Sequence, residues 1–117
     1  MSMAVTFWGR RGDPETLDAL AFLKREGYGA DRLLDLDRTP PAPDELEQLR
    51  KGLGDLRAAL DPRHPDAAAA PADGLAGWLA AHPRRLRAPL LLTPKGALAG
   101  FREQRWRAFL DIGKGRS

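Results

Sequence analysis

The run Pro89-Leu90-Leu91-Leu92 limits the fold more than any other segment. It is short and unbroken in its apolar character, the pattern of a strand buried on both faces. Thr93-Pro94-Lys95-Gly96 follows at once, with proline second and glycine fourth as a tight turn prefers. Ala97–Phe101 then returns as the partner strand of a hairpin. Glu103–Leu110 reads as a closing helix that turns Trp106, Phe109 and Leu110 inward.

Upstream, residues 4–8 alternate and are β-prone, so they predict a first strand. After a loop from Gly9 to Gly12, Asp13-Pro14-Glu15 opens a helix with an Asp N-cap, proline at the first helical position and acid in the first turn. Leu17, Leu20, Ala21 and Leu23 are expected to form its apolar face, and Gly27 and Gly29 to end it. Arg32–Leu36 predicts a second strand. A helix starts at Pro43, with Asp44, Glu45 and Glu47 in its first turn, and is broken by Gly52 and Gly54. Asp55 starts a short helical turn through Leu60. Asp61–Ala72 holds three prolines and an alanine run, an irregular connection. Asp73 is expected to cap a short helix carrying Leu75, Trp78 and Leu79, closed by His82-Pro83. The tail Gly113–Ser117 is expected to fray. The order is β-α-β, a helical insertion over about 43–82, then β-β-α: an α/β chain of thioredoxin-like arrangement.

A chain of 117 residues, 43% hydrophobic and 30% charged, has the size and composition of one globular domain, residues 1–117. Its apolar runs fall far short of the ~20 residues of a membrane helix. No secretory segment interrupts residues 1–20, where Arg10, Arg11 and Asp13 break any apolar stretch, so a cytoplasmic protein is expected. Cysteine is absent. That zero excludes disulfides, thiol nucleophiles, thiolate metal ligands and dithiol redox chemistry. His64 and His82, the only histidines, show no metal-ligand spacing, so no metal is expected.

Charge is uneven. Residues 1–81 carry 10 basic and 14 acidic side chains, whereas residues 82–117 carry 9 basic and 2 acidic, a local surplus of +7. The surplus points to an acidic partner surface or nucleic acid. Arginine outnumbers lysine 15 to 4, however, and in such a composition arginine also simply fills solvated positions. Nucleic-acid binding is expected to be weak at most. Trp106 is spent on the core, and Arg102, Arg105 and Arg107 do not share one helical stripe.

The pieces in this order resemble a known family: arsenate reductases of the glutaredoxin-linked ArsC type, with the transcription regulator Spx and their small relatives. The resemblance runs from Val5 to Leu110. It rests on the strand, loop and helix at the start and on the proline-rich segment leading into Asp44-Glu45-Leu46. It also rests on the block from His82 to Leu92 and on Gly100-Phe101-Arg102. It implies a cis-proline at Pro89, a bound glutathione or partner strand at the backbone of the preceding residue, and, for Spx, contact with the RNA polymerase α subunit near Gly52.

The departures fall on the chemistry. The family's cysteine, whose thiolate a helix N-terminus stabilises, coincides with Asp13, and its arginine before the cis-proline coincides with Ala88. A further family arginine is matched by Arg57 and a basic residue after the last strand by Arg102, while Arg10 and Arg11 flank the helix N-terminus as an anion pocket. No catalytic residue is assigned. Asp13 could serve as nucleophile or general base, yet its surroundings are those of a cap, and a carboxylate relays no electrons. Three readings stand. The first is a redox-inactive ArsC/Spx-like binding or regulatory module without arsenate reductase activity, recognising an acidic protein and, by analogy with Spx, RNA polymerase. The second is an anion- or glutathione-handling enzyme without its own thiol, using Arg10, Arg11, Arg57, Arg87, Ala88, Pro89 and Arg102. The third is nucleic-acid binding through the basic third. No membrane partner and no cofactor beyond glutathione is implied.

Overall fold

Leu90–Thr93 is a strand buried along its whole length, and its apolar run divides between two layers. Leu90 and Leu92 join one core cluster, and Leu91 joins the other. The computed structural model describes residues 5–110, so the start of the predicted first strand at Ala4 and the tail Gly113–Ser117 lie outside the described residues. Four strands form one sheet: β1 (Thr6–Gly9), β2 (Arg32–Asp35), β3 (Leu90–Thr93) and β4 (Gly96–Ala99), in the order β2-β1-β3-β4. β1 runs parallel to β2 and antiparallel to β3, and β3 pairs antiparallel with β4. Among the described residues no helix is long and apolar enough to cross a membrane.

Helix α1 (Pro14–Arg25) and helix α4 (Glu103–Phe109) cover one face. Phe7, Ala19, Phe22, Leu91 and Trp106 fill that layer, with Phe101 and Trp106 meeting edge-on at 5.2 Å between ring centres. The insertion covers the other face with helix α2 (Pro43–Leu53) and helix α3 (Leu75–Ala81). Here Trp8, Leu36, Leu46, Leu49, Leu79, Leu86 and Leu90 pack together. The Trp8 ring is fully buried, and its indole N–H has no hydrogen-bond partner among the described residues, a local cost set against burial of the ring.

Two local expectations are corrected. Thr16, Ala19, Phe22 and Leu23 are the buried residues of α1, while Leu17 is 59% exposed and Ala21 is exposed. The helix lies over β1 and the hairpin, so the Leu17–Ala21 side overhangs the sheet edge at β2. Asp73 does not cap α3: the N-cap is Gly74, in the left-handed region at φ 72°. Asp66, Asp61 and Arg85 instead fix the connection before α3, with Asp66 Oδ2 accepting from Arg85 at 3.0 and 3.2 Å.

α2 reaches the sheet through Gly52. A methyl group built there would lie 2.7 Å from the Ala97 nitrogen and 2.8 Å from its Cβ. The helix backbone therefore rests directly on β4. Gly52→Ala is expected to lower unfolding free energy by about 1–3 kcal/mol, the usual cost of overpacking. Urea denaturation measures it, and an unchanged midpoint would show that α2 can shift off β4.

Candidate functional site

Of the residues carried over by resemblance, Asp13 lies where β1 ends and α1 begins, beside Arg10 and Arg11, while Ala88, Arg57 and Arg102 lie on other segments. Gly12, at φ 76°, completes a turn in which the Asp13 N–H donates to the Arg10 carbonyl at 3.1 Å. Asp13 then caps α1. Its Oδ2 accepts from the Thr16 N–H and from Thr16 Oγ1, both at 2.8 Å, and Thr16 Oγ1 in turn accepts from the Arg10 N–H at 3.1 Å. The second carboxylate oxygen lies 3.9 Å from the Arg63 guanidinium. Asp61 above all, and Glu15 and Asp13 more weakly, raise the Arg63 pKa and hold it in the charged form. The N-terminus of α1, an anion site by its dipole and free N–H groups, is thus supplied with an anion by the chain itself.

Arg10 points into the fold. Its Nε donates to both oxygens of Asp37 at 3.1 and 3.2 Å, and its two terminal nitrogens reach the carbonyls of Leu86 and Pro83 at 3.0 Å each. The side chains of Arg10 and Asp37 are 19% and 29% exposed. This cation is neutralised and its donors are engaged, so Arg10 acts as a tie between three segments. Arg11 is exposed and forms no ion pair among the described residues.

Ala88 and Pro89 join through a cis peptide bond, and both are buried, Ala88 at 2% exposure. The Ala88 methyl belongs to the insertion-side core. Arg87 pairs with Glu15 at 3.6 Å, and the same carboxylate accepts from the Phe101 N–H at 3.0 Å, so Glu15 links α1 to the segment before α4. Gly100, at φ 73°, leaves room for the Arg87 guanidinium, which a methyl there would overlap. Arg57 lies exposed on a 3-10 turn, Leu56–Ala59, and Arg102 lies exposed before α4. Neither makes a side-chain contact with Asp13. Arg63 does, though the sequence did not single it out. Its signal is faint, an arginine after Asp61-Pro62 in a segment without periodicity.

The basic third is less free than its composition indicates. Arg85 binds Asp66 and the Trp78 carbonyl and stacks on the Trp78 ring at 4.0 Å. Arg107 pairs with Glu26 and Glu103. Arg84, Arg102 and Arg105 stay exposed without an ion pair among the described residues. No group of three or more His, Cys, Asp or Glu among those residues is placed to hold a metal ion.

A mixed four-stranded sheet, a βαβ unit, a hairpin and a closing helix, with a cis-proline before β3, define a thioredoxin-like α/β fold. Within that class the fold is that of the ArsC-type arsenate reductases. An ArsC family related protein from Bacteroides fragilis superposes with a TM-score of 0.80 at 14% identity, over 92% of this chain and 98% of the other. An arsenate reductase from Vibrio cholerae gives 0.74 at 20% identity, over 96% and 99%. An ArsC-related protein from Brucella melitensis gives 0.65 at 17% identity, over 96% and 98%. No family model and no curated protein matches the chain.

The Arg10–Asp37 tie has a measurable signature. In a double-mutant cycle of Arg10→Met and Asp37→Asn, the two changes are expected to couple by about 1–3 kcal/mol, as for hydrogen bonds to charged, partly buried groups. Additive losses in urea denaturation would show that the pair contributes nothing jointly.

Proposed function

We propose that this protein is a redox-inactive, ArsC/Spx-like binding module without arsenate reductase activity, and that it recognises an acidic protein surface. One observation carries the reading. At the N-terminus of α1, where the resemblance puts a thiolate, the chain has the Asp13 carboxylate, already hydrogen-bonded to Thr16 and facing Arg63, and it has no cysteine anywhere. A carboxylate cannot cycle through a disulfide or a thiol–arsenic bond. An oxyanion approaching the same helix end would meet a fixed negative charge and an Arg10 whose charge Asp37 already balances. Ala88 and Pro89 lead into β3, an interior strand, and both are buried, which supports a role other than glutathione binding, since an extended peptide needs open backbone there.

The acidic partner is inferred from the exposed arginines Arg84, Arg102 and Arg105. RNA polymerase is the partner to try first by analogy with Spx. At Gly52, however, α2 is turned against β4, so such a contact would use exposed neighbours in the insertion.

Two experiments test this reading. The purified protein is expected to reduce no arsenate with glutathione and glutaredoxin, while Asp13→Cys is expected to yield a thiol with pKa below the free value of ~8.5. Turnover by the unaltered protein that vanishes in Asp13→Ala would overturn the redox-inactive reading. In titrations with duplex and single-stranded oligonucleotides, binding is expected no tighter than the ~10⁻⁶–10⁻⁴ M of non-specific contacts at physiological salt. Tight, salt-steep binding lost in Arg105→Ala would replace the protein partner with nucleic acid.

A further inference from the structure

The only two histidines of the chain, far apart in sequence, meet in one cleft. His64 and His82 line a cavity of about 300 Å³ together with Asp37, Asp66, Pro83 and Arg84. Its walls are tied to one another. The Asp61 N–H donates to the Arg85 carbonyl at 2.8 Å, Arg85 pairs with Asp66 at 3.0 Å, and Arg10 holds the Pro83 carbonyl at 3.0 Å. Hydrogen bonding inside this cleft is one-sided. Its carboxylates are taken: Arg10 donates to both oxygens of Asp37, and Arg85 donates twice to Asp66 Oδ2. Of these oxygens, Asp66 Oδ1 alone is left without a donor among the described residues. Its donors are free. The Arg84 guanidinium and the His82 imidazole are exposed and make no hydrogen bond or ion pair among the described residues. His64 Nδ1 accepts from the Asp66 N–H at 3.0 Å, so the neutral ring carries its proton on Nε2. That nitrogen lies on the far side of the ring from the turn and has no partner among the described residues.

We propose that this cleft binds a phosphate monoester, whose terminal oxygens accept from Arg84, His64 Nε2 and His82. Free donors beside occupied acceptors select a ligand that only accepts, and a ligand rich in donors would find almost nothing to bind. The charges agree. The guanidiniums of Arg10, Arg84 and Arg85 outweigh the carboxylates of Asp37 and Asp66, while Asp61 and Arg63, just before His64, pair with each other at 3.4 Å. A cation finds no seat here, since no three His, Asp or Glu side chains among the described residues are placed to hold a metal ion. A carboxylate offers two acceptor oxygens, whereas a phosphoryl group offers three, one for each donor side chain, and guanidinium geometry favours phosphate. The donors come from the connection and from the turn after α3, not from the α1 N-terminus. The inference therefore holds whether or not the reading of the Asp13 site does, and it requires no protein partner.

The histidine content gives a clean test, because both imidazole Hε1 signals of a proton NMR spectrum report on this one cleft. The protein is titrated at fixed neutral pH and ionic strength with methyl phosphate and with the tripeptide Ala-phosphoserine-Ala. Both signals are expected to move saturably with at least one of the two ligands. Equal affinity for both would assign the site to small phosphate esters, and about tenfold tighter binding of the tripeptide to a phosphorylated side chain. Arg84→Gln is expected to weaken binding about tenfold, as for loss of a charged hydrogen-bond donor. Its thermal melt is expected to stay unchanged, since Arg84 holds no other element in place. Arg105→Gln, an equally exposed arginine on α4, is expected to bind as the unaltered protein does. Should Arg84→Gln fail to fold, His82→Gln read through the remaining His64 signal is expected to show the loss. Signals that move with neither ligand, or equal affinity in Arg84→Gln and Arg105→Gln, would overturn the proposal.

Discussion

The guanidinium of Arg10 holds together three segments that the chain order keeps far apart. It leaves the end of β1, binds the Asp37 carboxylate beyond β2, and reaches the carbonyls of Pro83 and Leu86 beyond α3. Each contact satisfies a group that would otherwise be desolvated alone, which is why partial burial of this charge is tolerated. The insertion is thereby fastened at the same corner where α1 begins. At that corner the α1 N-terminus is occupied by the protein's own hydrogen bonds, from Thr16 to Asp13.

Packing completes what that tie begins. Alternate residues of β1 and β3 feed two separate apolar layers, so neither the α1/α4 layer nor the insertion can be lost without stripping one face of the same strands. Glu15 does for the opposite side of α1 what Arg10 does for the loop, joining Arg87 and the Phe101 backbone across the cis-proline segment. Ion pairs in this chain act mainly at such junctions between elements.

Much of the architecture was legible because its signals are local. The apolar run at Leu90–Leu92, the turn at Thr93–Gly96 and the Asp13-Pro14-Glu15 helix start depend on neighbouring residues alone, and each element lies where it was expected to within a residue or two. Leu17 and Ala21 were misread because helical periodicity shows an apolar side without showing how far the sheet beneath it extends. At the site, the cap by Asp13 was readable from the Pro14-Glu15 that follows it. The pairing of Arg10 with Asp37 and of Arg63 with Asp13 was not, since both join segments 27 or more residues apart through side chains whose direction no pattern encodes.

The connection from Asp61 to Gly74 contains no fully buried residue. It is held at the Asp61 N–H, which donates to the Arg85 carbonyl, and at the Asp66–Arg85 ion pair. A segment held mainly by polar contacts, with Ala70 packed against the insertion-side core, opens at lower free energy than the sheet, and salt weakens its charged anchor further. Arg63 belongs to this segment. Each local opening that releases it therefore uncovers Asp13, so amide exchange in the connection and solvent access to the α1 cap would report one shared fluctuation, more populated as ionic strength rises.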